Sequence, residues 1–100
     1  MAPTMEKEQI IEVIRKNIAE ALLVPLEKVV PTARIISDLS AESIDVADIR
    51  FRLEEKLGIR IDQRAMVSAI GQTISAAELD EHFTVQFIID YALSQISEKE

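Results

Sequence analysis

The chain contains no cysteine, which excludes a disulfide framework, a thiolate nucleophile and a zinc–thiolate centre. Glycine is scarce, at 2 of 100 residues, and tryptophan is absent. Sandwiches and barrels of many short strands need closely spaced tight turns, so this shortage of turn residues argues against them. Basic excess is missing too: 11 Lys+Arg face 18 Asp+Glu, for a net charge of −7. Phosphate backbones repel such a surface, and no local basic face offsets it, so no nucleic-acid partner is expected. No apolar run approaches the roughly 18 residues of a membrane-spanning helix, which implies no membrane insertion. The first residues, Met1-Ala2-Pro3-Thr4-Met5-Glu6, lack the basic-then-apolar order of a signal peptide. A cytoplasmic location is expected from these absences.

What remains is helical material. Apolar residues make up 48% of the chain, enough for one core in a single domain, 1–100, with residues 1–4 and 98–100 frayed. Ile11, Ile14, Ile18 and Leu22 recur at spacings of three and four and predict a helix over 5–23. Thr4 is placed to cap it, Glu12 and Lys16 to pair across one turn, and Pro25 to end it. A long connection, 25–41, follows, with Val29, Ile35, Ile36 and Leu39 apolar enough to pin it to the core. Val46, Ile49, Leu53 and Leu57 predict a second helix over 42–57, stopped by Gly58. A short helix is expected at 63–70, between Asp62 and Gly71, and another at 76–82 behind the capping-box spacing of Ser75 and Glu78. The last helix, about 85–97, starts behind Thr84 and turns Val85, Ile88, Ile89, Ala92 and Ile96 inward.

Chemistry is concentrated in Asp38-Leu39-Ser40-Ala41-Glu42-Ser43-Ile44-Asp45. This segment puts a serine amid carboxylates where the long connection meets a helix. A serine at such a place ordinarily caps the helix or is simply solvated. No Ser–His–acid set, metal-ligand cluster or Gly-rich phosphate loop occurs at readable spacing. The lone histidine, His82, fits a helix end better than a catalytic base. No catalytic or metal-binding residue is expected, and the chain is read as a non-enzyme.

The same segment resembles the acyl carrier protein family, whose serine stands in an Asp-Ser-Leu context after Asp-Leu-Gly. Here the matching residues are Asp38-Leu39-Ser40 and Glu42-Ser43-Ile44. Val24, Glu27, Val29, Ala33 and Ile35 match before the serine. Ile49, Leu53, Glu54, Glu55, Leu57 and Ile61 match after it, and Thr84-Val85-Gln86 with Ile89-Asp90-Tyr91 match the family's final helix. The resemblance covers about 85 residues. It implies an all-α four-helix bundle with a long first loop, here with an extra short helix near 63–70. It implies 4′-phosphopantetheine, donated from coenzyme A and esterified to Ser43, whose thiol holds acyl groups as thioesters.

The implied partners are a phosphopantetheinyl transferase and acyl ligases, synthases or acyltransferases with basic docking faces. They would meet Glu42, Ile44, Asp45, Asp48, Phe51, Glu54 and Glu55, on a monomeric carrier. The implied role is fatty-acid or specialised lipid assembly. The segment between Ile61 and Thr84 is about a dozen residues longer than in a typical fatty-acid carrier, which suggests a very long cargo such as lipid A chains. Polyketide or nonribosomal peptide synthesis is an alternative role; an interaction module that has lost the arm is another. Glu42, Ile44 and Ser40 depart from the family's Asp, Leu and Gly, and Arg50 and Arg52 interrupt its acidic strip. Any positive φ required at position 40 is therefore met by serine at an energetic cost.

Overall fold

The computed structural model describes residues 6–62 and 76–99. The extra helix expected at 63–70, Thr4 and the Ser75 cap lie outside them. Among the described residues there are four α-helices: α1 (Lys7–Leu22), α2 (Ser43–Leu57), α3 (Ala76–His82) and α4 (Val85–Lys99). They enclose one apolar core, with α1 packed against α2 and α4. None of the helices is long and apolar enough to cross a membrane.

Helix α1 begins at Lys7, two residues later than expected. Its cap is Glu6, not Thr4: Glu6 and Gln9 form a reciprocal capping box in which the Glu6 N–H donates to Gln9 Oε1 at 2.9 Å. Ile10, Ile14 and Ile18 are buried, while Ile11 and Leu22 pack only partly against the core. The stripe is thus rotated by about one residue from the expected phase. Asn17 is buried beside it, and its amide donates to Val13 O at 2.7 Å, so no polar group is stranded there. Glu12 pairs with Arg15 at 3.3 Å rather than with Lys16. Carbonyls explain the choice. Arg15 also donates to Val29 O at 2.9 Å and to Leu26 O at 3.2 Å, fastening the connection to the helix. The helix stops with Leu23 in the left-handed region, φ 57°, and its side chain 91% exposed.

The long connection is tied down rather than loose. After a 3-10 turn, Leu26–Lys28, it buries Val29, Ala33, Ile35, Leu39 and Ala41. Ile36, expected inside, is exposed because Ile35 takes the inward place. A single antiparallel bridge joins Arg34 to Thr84. Around it, the Ile35 N–H donates to Phe83 O, the Val85 N–H to Ala33 O and the Gln86 N–H to Pro31 O, each at 3.0 Å. Helix α3 adds a carboxylate. Asp80 accepts the Ser37 N–H at 3.0 Å and faces the Arg34 guanidinium at 3.6 Å. Helix α4 starts as expected, with Thr84 Oγ1 accepting the Phe87 N–H at 3.2 Å. It runs on to Lys99. Val85, Ile88, Ile89 and Ala92 form its inner face.

Candidate functional site at the start of helix α2

The connection ends in a knot that fixes where α2 begins. Arg34 O accepts the N–H groups of both Asp38 and Leu39 at 3.0 Å. Asp38 Oδ2 accepts the Arg34 N–H at 2.8 Å, and the Ala41 N–H donates to Ile35 O at 3.1 Å. Ser40, between buried Leu39 and Ala41, has φ 58°. The residue standing where the family has glycine therefore adopts the conformation that glycine would permit.

Ser43 is the first residue of α2, and it is exposed. It does not cap the helix. Glu42 is the N-cap and forms a capping box with Asp45, whose Oδ2 accepts the Glu42 N–H at 2.9 Å. The Val46 N–H closes the first helical hydrogen bond, to Glu42 O at 3.1 Å. Among the described residues, no group hydrogen-bonds the Ser43 hydroxyl. Beside it the N–H groups of Ser43 and Ile44 lie in the first turn, where a helix has no internal partner for them. An anionic substituent on the hydroxyl would meet those donors and the positive end of the helix dipole.

Further along α2, Ile44 is 73% exposed and Phe51 61% exposed, two helical turns apart on one side. Glu55 is exposed one turn beyond Phe51. Asp48 pairs with Arg52 at 3.2 Å. The Arg50 guanidinium carbon lies 4.8 Å from the centre of the Phe51 ring. Glu54 is half-buried, and its Oε2 accepts the Ile61 N–H at 2.8 Å, which secures the chain leaving the helix. Glu42, Ser43, Ile44, Asp45, Asp48, Phe51 and Glu55 are thus brought together along the helix, while Glu54 carries an internal hydrogen bond.

Sequence reading missed Asp80, because its contact with Ser37 spans 43 residues and leaves no local pattern. Among the described residues no group of three or more His, Asp or Glu is placed to hold a metal ion.

Residues 12–69 match the family model of the phosphopantetheine attachment site. The chain is also 29% identical to an acyl carrier protein of Thermosynechococcus vestitus, over 93% of this chain and 99% of that one. It is 36% identical to an acyl carrier protein of Helicobacter pylori, over 67% of this chain and 88% of the relative. With an acyl carrier protein of Thermotoga maritima it shares 30% identity, over 72% and 91% of the two chains. The match covers more than half of the chain, and the chain belongs to the phosphopantetheine-attachment, acyl-carrier family. It is a carrier and not a catalyst, and its cofactor is phosphopantetheine.

Proposed function

We propose that Ser43 is the attachment residue and that the chain carries acyl groups in fatty-acid or specialised lipid assembly. One observation carries the assignment of the residue: Ser43 is exposed at the head of α2, and the Glu42–Asp45 box has relieved its hydroxyl of capping. Attachment would form an ester between Ser43 Oγ and the phosphate of the arm. The leaving group is the adenosine bisphosphate part of coenzyme A, and the serine proton passes to the transferase. The cofactor supplies a terminal thiol that holds acyl groups as thioesters. The chain supplies a fixed anchor and neighbouring backbone donors for the phosphodiester.

The docking strip is Glu42, Ile44, Asp45, Asp48, Phe51 and Glu55, suited to basic partner enzymes. Charge steering there raises association rates while leaving binding weak enough for release. A net charge of −7 also keeps copies of the chain apart, in line with a monomer. The lipid role is supported by that acidity and by the final helix, Thr84-Val85-Gln86 with Asp90-Tyr91.

Incubation with coenzyme A and several phosphopantetheinyl transferases, followed by intact-mass measurement, tests the reading. The expected result is one phosphopantetheine increment, retained in Ser40→Ala and lost in Ser43→Ala. A chain that stays unmodified with every transferase would leave an interaction module instead.

A further inference from the structure

Helix α2 carries a second line of residues away from its docking strip. Ser43, Val46, Arg50 and Leu53 follow at spacings of three, four and three, which places them on one side. Arg50 stands seven residues below Ser43, a rise of about 10 Å. Here Val46, Ile49, Leu53, Ile61 and Phe83 line a small cavity together with Arg50. Its volume, about 10 Å³, is at the lower limit for a single water molecule. Its lining is apolar apart from the arginine.

Arg50 is the anomaly in that wall. Its Nε is buried and has no hydrogen-bond partner. Among the described residues its guanidinium makes no ion pair, whereas Arg15, Arg34 and Arg52 each face a carboxylate. Its one hydrogen bond, from Nη1 to Ile61 O, is stretched to 3.5 Å. A buried donor without an acceptor is costly, and a cavity at this limit has room for one water at most, with few other polar groups to hold it. An ordinary apolar cargo would leave that donor unsatisfied; one with an oxygen at the right depth would pair it.

We propose that Arg50 selects the cargo: the cavity beside it takes an acyl chain that bears an oxygen acceptor, a keto or hydroxyl group, in preference to a saturated chain. The inference rests on attachment at Ser43, since the line from Ser43 to Arg50 is what leads a tethered chain to the cavity. Entry requires the apolar walls to part. The oxygen then accepts the Nε–H, a charge-assisted bond that the unloaded protein lacks.

The test loads the full chain with octanoyl, β-ketooctanoyl or β-hydroxyoctanoyl groups and keeps the unacylated arm-bearing form as a control. Intact mass first reports whether Ser43 is loaded. The Arg50 Nε–Hε signal is then followed by NMR. Thioester cleavage by hydroxylamine is measured relative to the same acyl group on free coenzyme A. The oxygenated chains are expected to shift the Arg50 signal and to be protected roughly tenfold more than octanoyl, with the difference lost in Arg50→Met. Equal protection of all three chains, or an equal shift in the unacylated control, overturns the inference while attachment stands. A chain that takes no arm overturns both. If Arg50→Met fails to fold, the signal in the unsubstituted protein still decides.

Discussion

Replacing Ser40 by glycine should stabilise this protein, although glycine usually loosens a chain. Ser40 sits at φ 58° with its side chain exposed and without a hydrogen bond among the described residues. Nothing local is lost with the hydroxymethyl group. A side chain in the left-handed region costs about 1–2 kcal/mol, which glycine does not pay. Against this, glycine's greater freedom in the unfolded chain takes back about 0.4–1 kcal/mol. The balance favours Ser40→Gly by about 0.5–1 kcal/mol. With a urea dependence of about 2 kcal/mol per M, the unfolding midpoint should rise by roughly 0.3–0.5 M. Ser40→Asn should fall between serine and glycine, because asparagine tolerates this region better than other residues with side chains. Ser40→Ala should change little, since alanine carries the same Cβ into the same conformation. A midpoint that falls in Ser40→Gly, or rises as much in Ser40→Ala, would refute the reasoning. The first would mean that the serine side chain is engaged after all, the second that the backbone angle is not the source of the cost.

Asp80→Ala removes the acceptor for the Ser37 N–H and the partner of Arg34; a loss of about 2 kcal/mol is expected, read by urea unfolding together with faster hydrogen exchange at the Ser37 amide. Glu42→Ala breaks the capping box at the head of α2 and should cost about 1 kcal/mol by the same assay, with Ser43 left exposed. Ile18→Ala empties a fully buried position on α1 and should cost about 2–5 kcal/mol, measured as a lowered midpoint with an unchanged slope. Phe51→Ser should leave stability nearly unchanged, because the ring is mostly exposed, yet slow transfer to partner enzymes that dock on α2.

The helices were legible where pattern and punctuation agreed. Helix α2 ends where Gly58 supplies the left-handed stop, and α4 begins where Thr84 supplies a cap. Tandem apolar residues defeated the reading elsewhere. Ile10 and Ile11 both fit a helical stripe, and periodicity alone cannot choose the phase that places Ile10 inside. Ile35 and Ile36 lie in a connection without a period, so only the bridge to Thr84 decides that Ile35 is buried. Lys16 was expected as the partner of Glu12, a place that is taken by Arg15. The other partners of Arg15 are backbone carbonyls 11 and 14 residues away, and side-chain spacing does not register carbonyls. At the site, the exposed serine at a helix start was legible, and so was the strained residue at position 40. The group that frees the serine was not: capping was read as a task for a serine, and the Glu42–Asp45 pair performs it.

That division of labour bears on how the carrier meets its partners. Counting acids along α2 overstates its docking charge, because Asp48 is offset by Arg52, and the freedom of Asp45 and Glu54 to turn toward a partner is reduced by their hydrogen bonds. Asp45 holds the Glu42 N–H, and Glu54 holds the Ile61 N–H. Glu55 makes no ion pair among the described residues. In the docking proposed here, a basic enzyme would meet somewhat weaker steering than a count of acids suggests, and exposed Ile44 and Phe51 would share in the recognition. Folding gives no reason to expose two large apolar groups on one helix, since their burial would stabilise the fold. On the proposed reading, contact with a partner would cover them. An association governed by them should weaken little as salt rises, whereas one governed by the acids should weaken steeply.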